Sequence, residues 1–162
     1  MSALKTIEHL FLEGHLTISK VYLDGASEII FDEDNLITLL TKQFLLSMIY
    51  TLPPLTSDPV VSLRVGTGGC VDPQGLYPKT EDPTQTNLNT PLLSVTNSYV
   101  VNNTIPQVTF LADLDLATGN GSLISEAGLI TNSGALFNVK NFPGIPKTSE
   151  FSLHFEWTIK FA

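Results

Sequence analysis

Cysteine, arginine and tryptophan each occur once in this chain of 162 residues, as Cys70, Arg64 and Trp157, and only 15% of the residues are charged. A single thiol excludes an internal disulfide framework and every zinc site built from several cysteines. The net charge is −8, and seven lysines are scattered from Lys5 to Lys160. Such a chain lacks the clustered cations that neutralise phosphates, so no direct nucleic-acid binding is expected. No apolar run approaches the ~20 residues needed to span a bilayer, and no membrane partner is expected. The opening MSALKTIEHLFLEGHL interrupts its apolar residues with Glu8, His9, Glu13 and His15. It does not read as a secretion signal, which agrees with assembly in a reducing cytoplasm.

Hydrophobic residues make up 43% of the chain. A fold of this length hides roughly 70% of the surface of its extended chain, so residues 1–162 are expected to form one domain without disulfide or metal staples. LTISKVYLDGASEIIFD reads as two strands around a turn at Asp24-Gly25. DEDNLITLLTKQFLLSMIY then changes period: Leu36, Leu40, Phe44 and Met48 recur every four residues behind Asp34 or Asn35 as N-cap. One helix is expected near residues 35–51, stopped by Pro53 and Pro54. VVSLRVG reads as a strand with Val61, Leu63 and Val65 on one face. After it comes a stretch without periodicity, TGGCVDPQGLYPKTEDPTQTNLNTP. A loop of that length, about residues 67–91, is expected to be flexible or engaged by something outside the domain.

The second half reads as strands: LLSVTNSYVV, IPQVTFLADLDLA, LISEAGLIT and ALFNVKNF, with turns at GNGS and NSG. FSLHFEWTIKF alternates strictly, Phe151, Leu153, Phe155, Trp157, Ile159 and Phe161 opposing Ser152, His154, Glu156, Thr158 and Lys160. The expected fold is mainly β, a β-sandwich or antiparallel sheet packed with one helix.

Candidate chemistry is sparse. Nucleophilic catalysis needs a Ser or Cys with a His partner and an orienting acid. His9 and His15 lie in the N-terminal segment, His154 on the polar face of a strand, and Cys70 in a glycine-rich loop without a base. No enzymatic activity and no cofactor are expected. His9 and His15 with Glu8 and Glu13 lack the i, i+4 histidine pair of a helical metal site. Asp32, Glu33 and Asp34 lack the alternating oxygen ligands of a calcium loop and are assigned to a helix N-terminus. VGTGGC lacks the Lys-Ser/Thr of a phosphate cradle and reads as a glycine turn leaving a strand. Glu126 sits in ISEAGLITNSGALFNVKNF, beside Ala127-Gly128, where a carboxylate can accept hydrogen bonds from free backbone N–H groups or meet a cation and stabilise a turn. It is assigned an architectural role.

In order along the chain, LRVGTGG, DPTQTNLNTPL, GSLISEAGLITNSGALFNVKNFPGIPKT and the closing alternating strand resemble the pattern of bacteriophage tail-collar and tail-fibre proteins. The matching positions are Val65, Gly66, Gly68, Pro83, Gln85, Thr86, Leu88, Glu126, Gly128, Leu129, Gly134, Leu136, Phe142, Pro143 and Lys147. The resemblance covers roughly residues 60 to 162 and implies a virion structural protein of the tail. The chain stops at Ala162, where a fibre would continue into a shaft, which points to an adaptor, baseplate or collar component. Other virion proteins, such as tail tube, baseplate or fibre subunits, are the implied partners, with a homotrimer or homohexamer as the expected symmetry. Gly66, Gly68, Gln85, Thr86, Glu126, Gly128, Phe142, Pro143 and Lys147 are the implied structural and assembly residues. Loop 67–91 and NFPGIPKTSE are expected to reach adjacent subunits. Two alternatives compete: a head-to-tail connector or capsid decoration protein, and a carbohydrate-binding module that stacks Tyr77 and Tyr99 on sugars.

Overall fold

The structure, a computed structural model, describes residues 12–43, 57–102 and 104–161. Nine antiparallel strands are formed among them: β1 (Leu12–Tyr22), β2 (Ser27–Ile37), β3 (Val60–Gly66), β4 (Pro91–Thr96), β5 (Ser98–Asn102), β6 (Gln107–Leu114), β7 (Leu123–Thr131), β8 (Leu136–Pro146) and β9 (Phe151–Phe161). They join in one sheet in the order β4-β3-β7-β8-β2-β1-β9-β6-β5. The fold is therefore mainly β, as the alternation of apolar residues predicts.

The sheet curls so that its two halves face one another, with β4 approaching β6 at the seam. β2 is the corner: most of its length pairs with β1, whereas Leu36 and Ile37 at its end pair with Val139 and Asn138 of β8. The shared core holds Leu16 and Ile18 of β1, Leu63 and Val65 of β3, Leu129 of β7, Phe142 of β8, and the inward residues of β9. β9 follows its sequence pattern: Phe151, Leu153, Phe155, Trp157 and Ile159 are all buried, which places the largest aromatic payload of the chain between the halves. The Trp157 ring donates its Nε1–H to Asn35 Oδ1 at 2.7 Å, so the one indole in the chain is satisfied where it is buried.

The β1–β2 hairpin turns at Leu23–Ala26 as expected, with Asp24 Oδ1 accepting the Ala26 N–H at 2.9 Å. The helix starts later than its periodicity suggests. Asp34 and Asn35 belong to β2, and helical backbone is confined, among the described residues, to 39–43; the rest of the expected span to residue 51 lies outside them. Thr38 is the cap instead, its Oγ1 accepting the Thr41 N–H at 3.3 Å. The reason is the antiparallel register of β2 against β1, which runs through Asp32, Asp34 and Asn35 and holds them extended. Asp32, Glu33 and Asp34 consequently cap nothing. Asp32 and Asp34 flank His15, at 3.0 and 2.8 Å, and Glu33 pairs with Lys140 at 3.0 Å.

Two further expectations are revised. Val61 does not share the buried face of Leu63 and Val65, because the register against β7 slips between Val60 and Ser62 and turns Val61 to solvent. LLSVTNSYVV is two strands, separated at Asn97 where the chain crosses from the β3 edge to the β6 edge. Within NFPGIPKTSE, Asn141–Pro146 forms the second half of β8 and pairs with β7.

Candidate functional site

β7 is buried on both faces from Ile124 to Thr131. Ala127 and Leu129 point into the core, and the opposite face is roofed by segment 67–91. That segment is neither loose nor extended. It is folded back on its own sheet, and Glu126 is the centre of the attachment.

The Glu126 side chain is wholly buried, and each of its oxygens takes two donors. Oε1 accepts the backbone N–H groups of Gly68 at 3.1 Å and Thr90 at 2.7 Å. Oε2 accepts the Asn89 backbone N–H at 2.8 Å and its side-chain amide at 2.9 Å. One carboxylate thus clamps the two ends of the loop together. An ionised acceptor makes the strongest class of neutral-donor hydrogen bond, and four donors replace the lost water shell without a cation. Lys147, the other charged residue of the motif, does not pair with it. No ion pair to Glu126 is formed among the described residues.

The glycines nearby give the carboxylate room. A Cβ on Gly66 would lie 2.5 Å from both Glu126 Oε1 and the Thr90 carbonyl oxygen. A Cβ on Gly128, one residue pair further along the same face, would meet the Asn138 carbonyl oxygen at 2.8 Å. Backbone atoms cannot yield, so both positions exclude larger side chains.

Further ties run along the loop. Gly69 donates its N–H to Ser125 Oγ at 3.0 Å and Gly144 donates its N–H to the Gly75 carbonyl at 2.7 Å. The Asn141 side-chain amide reaches the Lys79 carbonyl at 3.0 Å, and its backbone N–H reaches Glu81 Oε1 at 2.9 Å. Gln85 Nε2 donates to the Asn87 carbonyl at 2.6 Å, while Arg64 donates to Asn87 Oδ1 at 3.0 Å. These place Leu88 over Ile130, Leu136 and Val139, a small second cluster outside the main core.

The structure therefore brings Gly66, Gly68 and Glu126 together, with Gln85 at one remove, while Gly128, two residues along β7, lies against Leu88 and Leu136. Phe142 is a core residue, its ring tilted against Phe31 at 5.4 Å between centroids. Thr86 and Pro143 are exposed on the surface and take no part in the clamp. Lys147 is buried at the far end of β7, where its ammonium donates to Asn120 Oδ1 at 3.0 Å and the Thr148 carbonyl at 2.7 Å and lies 5.5 Å from the centre of the Phe151 ring. Burial pushes the Lys147 pKa down, opposed by the charge of Asp115. Asn89, Thr90, Ser125, Asn87 and Arg64 were not singled out by sequence. The Asn and Thr density of TNLNT was the available signal, since such side chains and turns bring backbone N–H groups to an acceptor.

The titratable groups elsewhere are arranged differently. His9 lies outside the described residues. His15, between Asp32 and Asp34 on the outer sheet face, has its pKa raised by hydrogen bonds to Asp34 and then Asp32. Thr17 donates its hydroxyl to Asp32 at 2.6 Å rather than to His15, so nucleophile and base are not joined. His154 is held by Asp113 at 2.7 Å and Glu156 at 3.3 Å. Burial raises the pKa of Cys70, whose thiol donates to the Phe142 carbonyl at 3.4 Å, which leaves it a poor nucleophile.

The fold and the clamp define a β-rich protein in which, among the described residues, the Glu126 carboxylate ties segment 67–91 to the sheet. Comparison with protein-family models, curated proteins and solved structures gives no match for this chain.

Proposed function

We propose that this chain is a bacteriophage virion structural protein of the tail, an adaptor, baseplate or collar component that joins tail and fibres through contacts between subunits. The observation that carries the reading is the convergence of three residues of the tail-collar-like pattern, Gly66, Gly68 and Glu126, on one clamp built around the buried Glu126 carboxylate. The clamp stiffens an exposed loop, which is what a part that fits between neighbours requires: a surface ordered before contact loses less entropy on binding. The loop offers Val71, Leu76 and Tyr77 to solvent from this fixed frame. No catalytic role is assigned, and copies in a three- or six-fold ring are the proposed symmetry.

Purified tails incubated with the labelled chain and sedimented test the reading, together with its location in images of the intact particle. Recovery with tails supports it. Absence from particles and failure to join tails count against it, and a position on the head favours a connector or decoration protein. The exposure of Tyr77 and Tyr99 favours a second reading, sugar stacking for host recognition. A glycan array supports that reading only if binding disappears in Tyr77→Ala.

A further inference from the structure

β5 ends the sheet, and all five of its residues are exposed. Tyr99 stands opposite Phe110 and Val101 opposite Val108 on β6. Cross-strand partners share a face, and Phe110 and Val108 pack against the core. Tyr99 and Val101 therefore continue the inner, apolar face beyond the point where the opposite half of the sheet covers it. They are 66% and 52% exposed, and Val100 on the other face is 60% exposed.

Edge strands are ordinarily guarded by lysine, proline or a bulge. β5 has none of these: its sequence is SYVVN and its register against β6 is unbroken. The opposite edge, β4, begins with Pro91, carries a register shift and lies beside β6. Among the described residues, only β5 offers an unpaired ladder flanked by apolar side chains.

Two features select the occupant. The first is charge. Residues 83–112 contain no Asp, Glu, Lys, Arg or His, although the chain as a whole carries −8. Two copies would repel through most of their surfaces, and here they can meet without apposing like charges. The second is self-complementarity. Turned antiparallel on itself about Val100, SYVVN sets Tyr99 opposite Val101, Val100 opposite Val100, and Ser98 opposite Asn102. Apolar residues then face apolar ones and polar residues polar ones, as a two-fold contact between identical patches demands.

We propose that β5 pairs edge to edge and antiparallel with β5 of a second copy, extending the sheet across two subunits. The inference names a partner within the assembly reading and rests on it for context. A two-fold contact of this kind joins two three-fold rings into six copies.

Light scattering on the full chain, with the substitutions Val100→Lys and Ser98→Lys and with Leu23→Lys in the β1–β2 turn as control, tests it. The expected result is association with a dissociation constant below about 100 μM. Val100→Lys or Ser98→Lys weakens it at least about tenfold, with circular dichroism and Tm unchanged, and Leu23→Lys leaves it intact. A larger assembly whose mass the edge lysines halve is equally supportive. A monomer throughout that range, or an assembly indifferent to both edge lysines, overturns the proposal. The two readings fail separately: a monomer recovered in particles refutes the β5 contact alone, whereas a dimer absent from particles refutes the virion role alone.

Discussion

Glu126 Oε1 lies 2.7 Å from the backbone nitrogen of Thr90, and those residues are 36 positions apart in sequence. The contact closes a loop whose ends would otherwise separate. Glu126→Gln keeps the shape but turns one acceptor oxygen into a donor that faces donors. Leaving buried N–H groups unmade costs about 1–3 kcal/mol each. A loss of roughly 2–5 kcal/mol is expected in denaturant unfolding, together with faster proteolysis within 67–91. Unchanged stability would refute the clamp.

Gly128→Ala drives a methyl toward Leu136 Cδ1 at 2.6 Å and the Asn138 carbonyl at 2.8 Å. The Leu136 tip can turn away and the carbonyl cannot. A destabilisation of about 1–3 kcal/mol is expected. Gly66→Ala is expected to act on the clamp itself, so combining it with Glu126→Gln gives less than the sum of the single effects. Chemical denaturation of the double-mutant set measures this.

Lys147 separates packing from charge. Lys147→Ala deletes a buried aliphatic stem and is expected to cost about 2–4 kcal/mol, while Lys147→Met retains the stem and costs less. Burial lowers the Lys147 pKa, so folding disfavours the ammonium. That penalty is complete below the folded pKa and fades as pH rises toward the unfolded value near about 10.4. The native chain is expected to gain stability relative to Lys147→Met as pH rises toward the unfolded value near about 10.4, read as the difference between their unfolding midpoints.

His15 gives the opposite slope. Its pKa is raised by Asp34 and Asp32, so its stabilising contribution is full below the unfolded value near about 6.5 and is lost as pH rises through the folded one. The pairs are solvent-exposed and the effect is small. His15→Gln is expected to lower Tm more at pH about 5.5 than at pH about 8.5, and added salt is expected to shrink the difference.

Legibility in the sequence followed the range of the causes. The β9 alternation and the Asp24-Gly25 turn are local, and both hold in the structure. That Glu126 accepts backbone N–H groups was readable from its small neighbours, Ala127 and Gly128, because a carboxylate in a cramped apolar run needs donors. Its donors were not readable, since Gly68, Asn89 and Thr90 come from two distant stretches that only the fold aligns. The order of segment 67–91 was hidden for the same reason. The helix start was misplaced because Leu36 satisfies two patterns at once, the four-residue period ahead and the strand behind it, and pairing with β1 and β8 decided in favour of the strand.

Leu12 at the start of β1 is the cross-strand partner of Phe161 at the end of β9. Antiparallel partners so arranged part like a zip: a pull between those two points strains a single rung of the ladder at a time. Tension is better resisted when it enters along the strands, where many rungs share it. Anything tethered at these two places hangs from one corner of the protein, and a mechanical path through the body would have to leave by its opposite rim.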